Sequence, residues 1–369
     1  MKVIGLILIG LIALLGELKA ERLPVQVGMK AVSADNDTLR QLGRVVKEGD
    51  RLGLYWAACG VELTCKTTTL LVEMDSDAPD NYVQVVIDDR YDTPVIIRCT
   101  PGRKLYRIAE HLPDTWHKFT LRRRTDPTTM GCFLHTLWVD GQACLRVTPA
   151  KSLKVEYYGD SVSSGHGDEA DVEGGENPVD RFYWNPMKAF TGYSAQLADA
   201  DYAIISKSGI GLMVSWYDQV LGDIYDLDNP HDYSRKHDFA SWQPDIVVIN
   251  VMQNDSWLLS KLDPVPGEKT IVERYCGFVR NLLSVYPKAQ IICALGPMNI
   301  VDKGSPWPGY VEKSVKILRK ENPGRHISSC FFPYLPTKDH PTVKEHEVAA
   351  RILACLLYTS PSPRDTERS

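Results

Sequence analysis

The chain has 369 residues, a formal net charge of −5, and a composition that is 44% hydrophobic, 9% aromatic and 24% charged. Those fractions exclude a disordered, collagenous or coiled-coil protein, and the length suggests two domains at roughly 100–200 residues each. With 42 Lys plus Arg against 47 Asp plus Glu, it lacks the basic excess that grips nucleic acid.

The N-terminus carries Lys2, an apolar run from Val3 to Leu15, and Leu18-Lys19-Ala20. This is the pattern of a secretory signal peptide over residues 1–20, cleaved after Ala20. The apolar run is well short of the ~20 residues that a membrane-spanning helix needs. Position 21 is Glu, not the Cys of a lipoprotein anchor. The expected mature protein is exported, to the medium or the periplasm, with no membrane span.

From about Leu23 to Thr148 the pattern is strand-like. Short runs such as Leu70–Met74, Tyr82–Ile87, Val95–Ile97, Lys104–Ile108 and His117–Leu121 are separated by turn signals at Asp77-Ala78-Pro79-Asp80 and Thr100-Pro101-Gly102. Strands of this length and spacing predict an all-β sandwich over residues 21–150. The triplet Arg122-Arg123-Arg124 reads as a solvated strand or loop face.

From Leu153 onward the period changes. Apolar runs at Val155–Tyr158, Tyr202–Ile205, Ile246–Ile249, Ile291–Leu295 and Ile327–Phe332 alternate with helical stretches such as Ile271–Val285 and Val311–Lys320. Buried strands alternating with helices predict a parallel sheet covered on both faces, over residues 151–355. Chemistry in such sheets lies beyond the carboxyl ends of the strands.

Nine cysteines are present and none forms a CxxC pair, so a structural zinc site is not expected. Cys293 and Cys330 sit in apolar runs and read as buried free thiols. A bridge between Cys59 and Cys65 is left open. The end of the chain, residues 356–369, resembles translated sequencing-adapter read-through or a disordered tail, with two prolines cutting the helical pattern.

Four segments follow strands of the one sheet. Gly159-Asp160-Ser161 places a hydroxyl just past the first strand, where a base could activate it and its own amide could face an oxyanion. Ser206-Lys207-Ser208-Gly209-Ile210-Gly211 has glycines that let backbone amides approach a ligand. Asn250–Asp255 puts an amide side chain at a strand end, and Lys338-Asp339-His340-Pro341 precedes a helical stretch from Val343 to Ala354. Singly these read as a helix cap, a glycine turn, an Asn cap and a loop His. Their order along one sheet points to a nucleophile, oxyanion donors and a base. His166, His231, His237 and His346 read as surface or loop residues, with no ligand spacing such as HExxH.

In these four blocks the sequence resembles the SGNH (GDSL-like) hydrolase superfamily, and within it the two-domain family 2 carbohydrate esterases. The resemblance implies a three-layer α/β/α, flavodoxin-like hydrolase domain behind a jelly-roll-like sandwich. Ser161 would be the nucleophile and His340 the base. The amides of Ser161 and Gly209, with Gly211 as the alternative register, and the Asn254 side chain would form the oxyanion hole. No metal or organic cofactor is implied.

Two departures stand out. Met252 occupies the position of the usual glycine in the third block, where a bulky side chain is expected to reshape the acyl pocket. The acid that normally lies a few residues before the His is replaced by Thr337 and Lys338, with Asp339 immediately adjacent. Neighbouring side chains point apart, so Asp339 is a doubtful third member of a triad. The resemblance implies that some members use a Ser–His dyad, with the His oriented by a backbone carbonyl.

The implied substrate is an acetylated plant-wall polysaccharide such as xylan or glucomannan, with Trp216 and Trp257 as candidate sugar-stacking residues. The alternatives are an esterase acting on another acylated glycan or small ester, and a carbohydrate-binding protein with an inactive hydrolase fold.

Overall fold

The computed structural model describes residues 28–170, 180–334 and 340–359. The expected signal peptide, Thr337, Lys338 and Asp339, and the tail beyond 359 lie outside the described residues.

The leading domain contains β1 (Met29–Ser33), β2 (Arg40–Leu42), β3 (Val45–Glu48), β4 (Arg51–Leu54), β5 (Gly60–Thr67) and β6 (Leu70–Ser76). It continues with β7 (Asn81–Ile87), β8 (Val95–Cys99), β9 (Lys104–Ala109), β10 (Thr115–Arg123), β11 (Cys132–Asp140) and β12 (Cys144–Arg146). One six-stranded sheet runs β3-β4-β11-β6-β9 with β1 on β11; the other runs β12-β5-β10-β7-β8 with β2 on β5. Every pairing is antiparallel, as in β10 with β5 and β11 with β6. Alternate residues face inward, Leu70, Val72 and Met74 from one sheet and Phe119 and Leu121 from the other, so the core lies between the sheets.

The second domain follows the predicted alternation. Its strands are β13 (Leu153–Gly159), β14 (Ala200–Ser206), β15 (Ile246–Asn250), β16 (Gln290–Leu295) and β17 (Ile327–Phe331). They form a five-stranded sheet in the order β14-β13-β15-β16-β17, with parallel pairing throughout. Its helices are α1 (Ser161–Ser164), α2 (Phe190–Leu197), α3 (Leu221–Ile224), α4 (Gln253–Leu258), α5 (Glu268–Val285), α6 (Trp307–Glu321) and α7 (Val343–Thr359). Phe190 of α2 and Ala349, Ala350 and Leu353 of α7 share a core with Val155, Tyr157 and Val248 on one face of the sheet. On the other face, α5 and α6 pack with Tyr158, Val247 and Ile249. The strand order reverses at β13, which opens a crevice beyond the strand ends between β13 and its neighbours.

Two readings from sequence need correction, and one question left open is answered. The Arg122–Arg124 triplet is buried, not solvated. Arg122 donates to the carbonyl of Ala58 and lies over the Tyr202 ring of β14 at 4.1 Å. Arg123 is satisfied by the carbonyls of Leu54, Tyr55, Asp126 and Met130. Arg124 pairs with Glu169 and donates to the carbonyl of Phe182 at 2.7 Å. A guanidinium surrounded by fixed acceptors tolerates burial, and the second domain supplies several of them.

Helix α7 runs to Thr359, past the boundary expected at 355, because Leu357 extends the buried stripe of Ala349, Ala350 and Leu353. Among the described residues no two cysteines form a disulfide. Cys65 lies within β5 and Cys59 just before it, so along an extended strand they are roughly 20 Å apart, far beyond bridging distance.

Candidate active site

The site is assembled at the carboxyl ends of the parallel strands. A Cβ at Gly159 would meet Ser163 Oγ at 2.0 Å and the carbonyl of Asn250 at 2.7 Å, so only glycine permits the turn from β13 into α1. Asp160 caps that short helix, its carboxylate accepting the Val162 N–H at 3.0 Å. Burial pushes the Asp160 carboxyl up to about 7. Ser161 follows at the first helical position, buried beneath the opening.

His340 stands between the edge strand β17 and α7. Its Nε2 lies 2.9 Å from Ser161 Oγ. Thr342, two residues on, donates its N–H and hydroxyl to Glu345 Oε2 at 2.7 and 2.9 Å, and the Val343 N–H donates to the carbonyl of Asp168 at 3.0 Å. These bonds fix where α7 begins and therefore where His340 stands. Burial, reinforced by neighbouring His166 and His346, lowers the His340 imidazole to about 3. Among the described residues no carboxylate bonds to its Nδ1.

The oxyanion candidates are distinguished by their hydrogen bonds. The N–H groups of Ser161 and Gly209 donate to nothing among the described residues. The Gly211 N–H is taken by Ser215 Oγ at 2.9 Å, which favours Gly209 as the donor. Gly209 has φ +82°, a conformation natural to glycine. Asn254, on α4, donates one amide N–H to the carbonyl of Ile210 at 2.8 Å and accepts from Trp216 Nε1 at 3.0 Å. Its second amide proton has no partner among the described residues. Asp255 fastens the loop after β14 to α4, its carboxylate accepting the N–H groups of Leu212, Met213 and Val214 at 2.8, 2.6 and 3.2 Å.

Removing the Asn254 amide deletes a candidate donor to the anion and also frees the carbonyl of Ile210. Asn254→Ala is therefore expected to lower kcat on p-nitrophenyl acetate on the order of 100–1,000-fold. A folded variant within about threefold of wild type would remove Asn254 from the oxyanion hole.

Trp216 is 59% and Trp257 40% exposed at the rim. Lys261 Nζ sits 4.9 Å over the Trp216 ring, and Trp257 Nε1 donates to Asn299 Oδ1 at 3.1 Å. Met252 adopts φ +96°, the left-handed conformation that explains why glycine suits this position. Its side chain is fully buried in the hydrophobic core.

Sequence reasoning also misplaced two histidines. His166 stacks on His340 with ring centroids 4.4 Å apart and planes at 24°, and its other face meets Trp184 at 4.1 Å. His346 is fully buried on α7, where its Nδ1 accepts the Phe190 N–H at 3.2 Å. Their position in the nucleophile block and on the apolar face of α7 was the available signal. Among the described residues no group of three or more His, Cys, Asp or Glu side chains is placed to hold a metal ion.

Known proteins share both halves of this arrangement. Residues 41–149 match the family described as Carbohydrate esterase 2 N-terminal. An acetylxylan esterase / glucomannan deacetylase of Cellvibrio japonicus is 25% identical over 331 residues, covering 87% of this chain and 88% of its own. The chain is a relative of the family 2 carbohydrate esterases. A solved family 2 carbohydrate esterase from Cellvibrio japonicus superposes with a TM-score of 0.79 at 22% identity, covering 89% of this chain and 97% of that one. Another, from Clostridium thermocellum in complex with cellohexaose, gives 0.78 at 22% identity, covering 86% and 98%. The family 2 fold, sandwich followed by parallel-sheet domain, thus extends along nearly the whole chain.

Proposed function

We propose that this carboxylic ester hydrolase is an exported acetyl esterase of plant-wall polysaccharides, working through Ser161 and His340 and an acyl-enzyme. The observation that carries the reading is the 2.9 Å contact between His340 Nε2 and Ser161 Oγ, with two backbone N–H groups at the same strand ends that have no acceptor among the described residues. His340 takes the Ser161 proton as Oγ attacks the acetyl carbon. The N–H groups of Ser161 and Gly209 and the Asn254 amide receive the oxyanion. The sugar alkoxide leaves with the proton from His340, and water, deprotonated by His340, then releases acetate from Ser161.

An imidazole held as low as His340 is neutral at ordinary pH and free to accept a proton. It is also a weak base until negative charge develops beside it. The oxyanion supplies that charge, so proton transfer and attack reinforce each other. The substrate class rests on the named activities of the relatives and on Trp216 and Trp257 at the rim, where a sugar ring can stack.

Acetate release measured across acetylated xylan, acetylated glucomannan and a simple aryl acetate tests this reading. The expected result is release from at least one polysaccharide and none with Ser161→Ala. Retention of glycan without acetate release would leave a binding protein in place of an enzyme.

A further inference from the structure

The two peptides that flank Ser208 are held from two domains, the Lys207–Ser208 peptide by its N–H and the Ser208–Gly209 peptide by its carbonyl. The loop after β10, in the sandwich, carries Asp126, which is fully buried. Its Oδ1 accepts the N–H and hydroxyl of Thr128 at 2.8 and 2.6 Å, and its Oδ2 accepts the Ser208 N–H, across the domain boundary, at 2.6 Å. The carbonyl of Asp126 is itself gripped by buried Arg123 at 2.9 Å, so the carboxylate is presented on a stiff loop. From the hydrolase side, Tyr217 donates its hydroxyl to the Ser208 carbonyl at 2.9 Å.

A trans peptide is planar, so its C=O and N–H point in opposite directions. A bond on the Ser208 carbonyl therefore sets where the Gly209 N–H points, and a bond on the Ser208 N–H stops the preceding peptide from swinging. The Gly209 N–H is left over, with no acceptor among the described residues. The ring of Tyr217 also closes on Gly209, where an added Cβ would meet Cε1 at 3.3 Å. An oxyanion donor stabilises charge most when its direction is fixed before the reaction.

The geometry points to Asp126 of the sandwich, acting with Tyr217, as a positioning residue that aims the Gly209 amide at the oxyanion. This inference rests on the acyl-transfer reading above. It makes the leading domain part of the catalytic apparatus even though Asp126 need not touch substrate.

The test compares Asp126→Asn, Asp126→Glu, Tyr217→Phe and Ser161→Ala in the full chain with p-nitrophenyl acetate. Inhibition by phenylboronic acid is measured alongside, because boron accepts an electron pair from a serine Oγ and becomes a tetrahedral anion in the same hole. In each folded Asp126 and Tyr217 variant, kcat should fall about tenfold or more, KM should stay within about threefold, and boronate affinity should weaken in parallel with kcat. A merely structural role would lower the melting temperature without this split. Wild-type kcat and boronate affinity in a folded Asp126 variant would overturn the inference. Should Asp126→Asn fail to fold, Asp126→Glu keeps the charge but displaces it by a methylene and reads the same outcome. An active Ser161→Ala would instead overturn the esterase mechanism, so the two failures are distinguishable.

Discussion

Ser161→Ala is expected to give a folded protein with no measurable turnover of p-nitrophenyl acetate. The hydroxyl contributes little to the fold, since the hydrogen bond it makes is to His340 at 2.9 Å. Losing it leaves a buried imidazole nitrogen without a partner, a cost of about 1–2 kcal/mol, which moves the melting temperature by only a few degrees. Chemistry, by contrast, loses its covalent route. In a serine protease, removing the nucleophile alone costs on the order of 10⁶ in kcat, leaving only binding and oxyanion stabilisation. A fall of that order with an intact melting transition is the expected pair of measurements. Activity within tenfold of wild type would mean that another group attacks the ester.

The second large effect separates a dyad from a triad. His340→Ala should approach the loss of Ser161→Ala, whereas Asp339→Asn should cost about tenfold or less. A triad acid replaced by its amide costs about 10⁴-fold through the wrong tautomer, as in the serine proteases. The two outcomes for Asp339 therefore differ by about 4 kcal/mol in barrier at ~1.36 kcal/mol per decade.

The pH profile provides an independent check. Burial and the neighbouring His166 and His346 all push His340 down, to about 3. The neutral, active base then persists as pH falls, and kcat/KM should stay level to about pH 5, well below the usual imidazole value near 6.5. A carboxylate bonded to Nδ1 would raise the imidazole and bring the acid limb to about pH 6.5 or above. A limb there, with a 10⁴-fold loss in Asp339→Asn, would establish a triad.

The same shifts bear on stability. Between pH 6.5 and about 3 the unfolded chain protonates His340 and His346 while the fold keeps both neutral, so these groups withdraw stability as pH falls. Asp160, raised to about 7, acts in the opposite sense, its contribution being present below the unfolded carboxyl value and lost as pH rises through 7. Circular dichroism at each pH distinguishes loss of fold from protonation of the base.

Much of the architecture was legible because it depends on period. The change near residue 150 from short alternating runs to continuous apolar runs such as Ile246–Ile249 records the passage from antiparallel sandwich strands to parallel strands buried on both faces. The order of Ser161, Gly209, Asn254 and His340 was legible because each follows a strand of that sheet.

What stayed hidden depends on tertiary partners. Three consecutive arginines look solvated until Tyr202, Glu169 and the carbonyl of Phe182 are brought against them. The place of His166 in the nucleophile block does not by itself reveal its stack on His340, and Leu357 shares a buried cluster with residues of the sheet. The second block placed Gly209 ahead of Gly211 as the donor, but the Ser215 Oγ that occupies the Gly211 amide is a partner that spacing does not show.

The seam between the two domains constrains how such a protein can be rebuilt by recombination. Arg40 bridges to Asp201 at 2.9 and 2.8 Å, Arg44 meets buried Glu156 at 3.1 Å, and Trp56 Nε1 donates to the carbonyl of Leu227 at 3.2 Å. Swapping in a foreign sandwich would strand Glu156 and Asp201 without their cations, and an unpaired buried charge costs several kcal/mol. Gene fusions that shuffle accessory modules along flexible tethers would therefore spare this junction. The two halves should travel through evolution as one cassette and melt in one transition, with module exchange confined to segments outside the pair.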